Sequence, residues 1–183
     1  MNIASNEDIL KVVLNLDELS TLQMAVTMEA IWHLRNQAFT SLAVVARNEF
    51  SEVLKVWTKI HDLCSPTQAK AAAIQWALIL AKDENWSNII VEGDSKICLD
   101  ALSKAEDPSD WSISSITRDT VVLSTFFDNC KFCCVRRSMN SAAHSAAKYV
   151  AALKASFLCN KYDLPPPILK ACRQDWITFC SSS

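Results

Sequence analysis

Asp94 closes the stretch Val91-Glu92-Gly93-Asp94-Ser95, where an apolar run gives way to a helical pattern. A carboxylate at a strand end has two uses. It can hold a hard divalent cation, or it can accept from the free backbone N–H groups of the helix that follows. Both readings stay open for Asp94. Glu92 lies two residues earlier, on the same side of an extended chain, so the two carboxylates can share one weakly held ion. His144 sits early in an alanine-rich helical stretch, placed either as a ligand or as a half-exposed polar residue. Lys131, Arg136, Arg137 and Lys148 make up the basic cluster, which suits phosphate contacts or a solvated strand end. Cys130-Lys131-Phe132-Cys133 has C-x-x-C spacing, but no second pair at zinc-finger spacing follows. The eight cysteines therefore read as reduced, small apolar residues.

The elements that must position these groups follow from composition and periodicity. The chain has 183 residues, half of them hydrophobic, with 18 Lys and Arg against 20 Asp and Glu. That length suits one domain with its own core, and the composition excludes a disordered chain. A net charge of −2 removes the case for a strongly basic nucleic-acid binder while leaving room for a local patch. No apolar run reaches the ~20 residues of a membrane span. The first residues lack a basic and apolar leader, so an intracellular protein, cytoplasmic or nuclear, is expected. There is one glycine, Gly93. Turns must therefore rest on Asn, Asp, Ser and Pro.

Residues 1–40 read as helical. Leu10, Val13 and Leu14 fall at helical spacing, and Leu22, Ala25, Val26, Glu29 and Trp32 repeat near 3.6. The segment Thr21–Phe39 is expected to be an apolar helix buried against something. Ser41–Arg47 and Val53–Ile60 read as the two strands of a hairpin. Ser65, Pro66 and Gln68 spell a capping box with proline at the first helical position, opening a helix through Lys82. Trp86–Glu92 reads as a buried parallel strand, Lys96–Lys104 as a short helix, and Ile116–Phe127 as another. Cys130–Arg136 follows as a strand, and Asn140 is the expected cap of a last amphipathic helix. A proline-bearing tail ends the chain. The order implies an α/β fold: a mixed sheet with helices on its faces.

Three motifs in this order carry a resemblance. They are Val91–Ser95, the stretch Val135–Lys148 with its Arg136-Arg137-Ser138-Met139-Asn140-Ser141-Ala142-Ala143-His144, and the hairpin from Val44–Asn48 to Val53-Leu54. Ile31–Phe39 upstream and Leu164-Pro165-Pro166 with Asp175 downstream add to it. Together they resemble the plant RNase H-like family derived from non-LTR retrotransposons. The resemblance implies an RNase H-like sheet whose carboxylates hold two magnesium or manganese ions that hydrolyse the RNA strand of an RNA–DNA hybrid. It carries over Asp94 as a catalytic and metal-binding residue and His144 as the residue of the last helix. The position of the family's helix glutamate is Lys70, a cation that disables the site. The first strand looks missing or replaced; Val12–Asp17, with Asp17 as the missing ligand, is the candidate substitute.

These readings divide the chain into a helical extension over 1–40, an RNase H-like domain over 41–158 and a tail over 159–183. The expected function is a catalytically degenerate RNase H-like protein that binds RNA–DNA hybrid or another nucleic acid weakly. Arg136, Arg137, Asn140 and Lys148 are its expected contacts. An active hybrid-specific ribonuclease needing Mg2+ or Mn2+ is one alternative. A module that takes a protein partner or a second copy along an exposed sheet edge is the other.

Overall fold

The structure is a computed structural model and describes residues 24–31, 39–104 and 110–181. Six strands form one sheet: β1 (Met24–Ile31), β2 (Phe39–Arg47), β3 (Val53–Asp62), β4 (Asn88–Gly93), β5 (Asn129–Cys134) and β6 (Leu158–Asn160). Their spatial order is β5-β4-β1-β2-β3-β6. Strands β1, β2 and β3 pair antiparallel, while β4 runs parallel to both β1 and β5. Among the described residues five helices accompany them: α1 (Pro66–Asp83), α2 (Lys96–Lys104), α3 (Ser114–Ser124), α4 (Ser141–Leu153) and α5 (Pro166–Ser181). The expected RNase H-like mixed sheet with flanking helices is what the chain forms. Among the described residues no helix is long and apolar enough to cross a membrane.

The main departure from expectation is at the N-terminal side. Met24–Ile31, read as part of an apolar helix, is a strand, and it occupies the middle of the sheet. Its register runs from Ala25 opposite Arg47 to Ile31 opposite Ser41 on one side, and from Met24 opposite Ile89 to Met28 opposite Gly93 on the other. The first strand is therefore present. The segment is apolar at almost every position, so helical spacing and strand spacing fit it equally well, and Met, Ala and Glu favour helix locally. Two rows of backbone hydrogen bonds to β2 and β4 override that preference. The candidate substitute strand, Val12–Asp17, lies outside the described residues, and so does the Leu10–Leu14 helix.

Elsewhere the local signals hold. Ser65 Oγ accepts from Gln68 N–H at 3.2 Å and Gln68 Oε1 accepts from Ser65 N–H at 3.0 Å, so the capping box opens α1 as written. In the β2–β3 turn Asn48 Oδ1 accepts from the N–H groups of Phe50 and Glu52, and Ser51 takes the left-handed conformation at φ 59°. Asn85 does the same after α1 at φ 58°. Polar residues thus supply the turns of a chain almost without glycine, and Gly93 itself is not at positive φ.

The sheet is covered on both faces. Leu42, Val44 and Ala46 of β2 pack under α1 with Ile74, Leu78 and Val91. Ala43, Val45 and Val56 face the other way, against Ala143 and Ala147 of α4 and Ile168 of α5. The stretch from Cys159 on, read as a tail, contributes most of the edge strand β6 and the helix α5, whose Ile168 is fully buried.

Candidate functional site

The carboxyl ends of the parallel strands form one rim. Val135 N–H donates to Gly93 O at 2.9 Å, which ties the chain leaving β5 to the end of β4. Asp94 and Arg136-Arg137 follow directly on these two strands. On β1 the Met28–Gly93 pair is the last with β4, and Asp94 follows where β4 ends. The 3-10 turn Arg137–Met139 then leads into α4, which carries His144 and Lys148 one helical turn apart.

Lys70 reaches this rim from α1. Its Nζ donates to Asp94 Oδ1 at 2.8 Å, with the lysine side chain 25% exposed and the aspartate 7%. The expected choice for Asp94, metal ligand or helix cap, resolves into a third arrangement. Its carboxylate holds an internal ammonium, and among the described residues it makes no bond to a backbone N–H. The start of α2 is organised by Ser95 instead, whose carbonyl accepts from Leu99 N–H and whose hydroxyl lies 3.1 Å from Cys98 Sγ.

His144 is the point where the charges of this region meet. Burial pushes it down to about 4, and the neighbouring Lys148, Arg137 and Lys70 push the same way against the opposing pull of Asp94. It is therefore neutral at pH 7. The basic side chains Arg136, Arg137 and Lys148 are exposed, as phosphate contacts must be. Asn140 corrects the expectation in two ways. It stands at the N-cap position of α4 but makes no side-chain capping bond, and it is fully buried, so it offers nothing to a ligand at the surface.

The cap of α4 comes from far away in sequence. Asp175 of α5 accepts from the N–H groups of Ser141 at 3.2 Å and Ala142 at 3.0 Å, and from the Ser141 hydroxyl. It also accepts from Arg47 Nη2 at 2.8 Å. A carboxylate on the first N–H groups of a helix satisfies orphan donors and meets the positive end of the macrodipole. Sequence reasoning saw Asp175 only as part of a tail motif, because nothing local links it to residues 34 and 128 positions away.

A divalent cation needs about six oxygen ligands, and two-metal hydrolysis needs two such sites close together. Among the described residues no three His, Cys, Asp or Glu side chains gather to hold a metal ion. The one family carboxylate described, Asp94, is already neutralised by a lysine. The described residues do not by themselves fit a pair of divalent ions.

Glu29 was read as part of the Thr21–Phe39 helix, and its backbone lies instead in the middle strand β1. Trp57 and Trp86 are core residues, meeting edge to face at 6.0 Å. Trp111, by contrast, is 86% exposed. The C-x-x-C cysteines lie three apart on a strand and so point to opposite faces. Burial pushes the Cys130 thiol up to about 12 and Cys133 to about 11.

A profile of the reverse transcriptase-like family matches residues 27–150. A search of curated proteins finds no match. Among solved structures, RNase H1 from the halophilic archaeon Halobacterium salinarum is similar at a TM-score of 0.65 and 21% identity, covering 73% of this chain and 99% of its own. The N-terminal RNase H domain of a Mycobacterium tuberculosis protein gives 0.62 and 16%, over 70% and 98% of the two chains. LC11-RNase H1 in complex with an RNA/DNA hybrid gives 0.63 and 12%, over 72% and 99%.

Proposed function

The chain belongs to the reverse transcriptase-like family, and on that premise we propose that it is an RNase H-like domain that binds RNA–DNA hybrid without cutting it. We place it in the plant, retrotransposon-derived branch on the Val91–Ser95 and Val135–Lys148 motifs. The observation that carries the loss of catalysis is the 2.8 Å bond between Lys70 and Asp94. A cation fixed on the strand-end carboxylate repels the ions that hydrolysis requires and occupies the oxygen that would bind them. Binding is supported by the fold shared with a protein crystallised on an RNA/DNA hybrid, and by the exposed Arg136, Arg137 and Lys148 beside the same rim.

The interaction-module alternative drew its exposed edge from a missing middle strand. With β1 in the centre, the outer strands are β5 and β6, and no mid-sheet gap invites a partner.

The test is a labelled RNA–DNA hybrid incubated with the full chain and Mg2+ or Mn2+, beside Lys70→Glu and Asp94→Asn. The expected result is retention of the hybrid on a gel with no cleavage by the wild type. Cleavage that disappears in Asp94→Asn overturns the degenerate reading, and absence of any retention overturns the binding reading.

A further inference from the structure

We propose that Lys70 is a resident cation that converts the rim from a divalent-metal site into a direct, metal-independent phosphate site, with Arg137 and Lys148 as its partners. For its natural ligand, a backbone phosphodiester, this rests on the hybrid-binding reading above. The site itself stands on the geometry.

The ammonium of lysine carries three N–H donors. One reaches Asp94 Oδ1, which leaves two, and the lysine side chain is a quarter exposed at the rim. Asp94 is 7% exposed in its side chain and is matched by that bond, which leaves it a support for Lys70 rather than a repulsive charge toward an anion. Arg137 enters from the turn that follows Val135, whose N–H is bonded to Gly93 O beside Asp94. Lys148 enters from α4, one turn beyond His144. Lys148, Arg137 and Lys70 all lie near enough to His144 to act on its charge, with Asp94 as the opposing carboxylate, so the groups facing that ring leave the rim with a net positive charge. A site of that sign attracts a phosphate oxygen directly and excludes a divalent cation, the reverse of what paired carboxylates do. The carboxylate–lysine pair thus does in one polypeptide what metal and ligand do together elsewhere: it presents positive charge held in place by negative charge.

The sole glycine of the chain supplies a reporter at this position. Labelling with [15N]glycine yields a single backbone amide signal, that of Gly93, the residue before Asp94. Inorganic phosphate and MgCl2 are titrated separately into the full chain at constant ionic strength. Phosphate is expected to move the signal saturably and magnesium to leave it in place. In Lys70→Glu the two responses exchange. Because Lys70→Met alone strands a buried carboxylate, the neutral pair Lys70→Met/Asp94→Asn serves as the folded control, and its phosphate response is expected to vanish. A saturable magnesium response in the wild type, or a phosphate response that survives in the neutral pair, overturns the proposal.

Hybrid binding is measured in parallel in EDTA and in Mg2+. The wild type should bind equally in both, and the neutral pair should lower the salt slope by about one. Failure to bind hybrid with a retained phosphate response ends the functional reading and leaves the site standing. Hybrid binding with no phosphate response does the opposite.

Discussion

Replacing Asp175 with alanine tests the architecture at its most concentrated point. The carboxylate is 2% exposed and accepts from four donors at once: the Arg47 guanidinium, 11% exposed, the first two N–H groups of α4 and the Ser141 hydroxyl. Its removal leaves a nearly buried cation whose Nε is already without a partner. Breaking a buried ion pair by deleting one member costs about 3–5 kcal/mol, because the other charge stays buried and uncompensated. Loss of a helix cap alone accounts for about 1 kcal/mol, so the bulk of the effect is electrostatic. The total is a large share of the roughly 5–15 kcal/mol that holds a domain folded. Urea unfolding followed by circular dichroism reads the loss directly. A double-mutant cycle with Arg47→Met separates the two contributions: once the cation is gone, Asp175→Ala should cost far less, with a coupling of about 2 kcal/mol or more. Asp175→Asn keeps an acceptor for one helix N–H and should fall between. A single-variant cost under about 1 kcal/mol, or a cycle that is additive, refutes the claim that this network secures α4 and α5.

The pH profile offers a second check. His144 is held at about 4 in the folded chain against an ordinary 6.5, so the unfolded state takes up its proton first as the medium is acidified. The stability contributed by the neutral ring is present above 6.5 and lost as pH falls toward 4. His144→Gln should flatten that part of the profile in urea midpoints. Cys130 and Cys133, raised to about 12 and 11, should resist iodoacetamide at pH 7.5 until denaturant is added, as followed by mass spectrometry; rapid labelling of the folded chain contradicts their burial. Ser65→Ala removes one half of the capping box of α1 and should cost about 1 kcal/mol in the same unfolding assay. No measurable change would mean that tertiary packing alone sets the start of that helix.

What could be read from sequence shares one property: it was encoded within a few residues. The capping box at Ser65–Gln68, the hairpin strands, the apolar run of β4 and the short α2 each depend on neighbours in the chain, so type and spacing sufficed. Lys70 and Asp94 were both singled out, one as a disabling cation and one as a surviving carboxylate. That they bond each other across 24 positions required the packing of α1 over β4. Met24–Ile31 is a strand because β2 and β4 offer it backbone partners on both sides, and a segment apolar at most positions fits helical and strand spacing equally well. Asp175 caps α4 because α5 docks on the sheet's second face and buries Ile168 there, which no local pattern near the prolines foretells. Local hydrogen bonding and periodicity determined most of the elements. The middle strand, the cap of the last sheet-packed helix and the charge at the rim were decided by contacts between segments far apart in the chain, where the free energy depends on what the fold brings near.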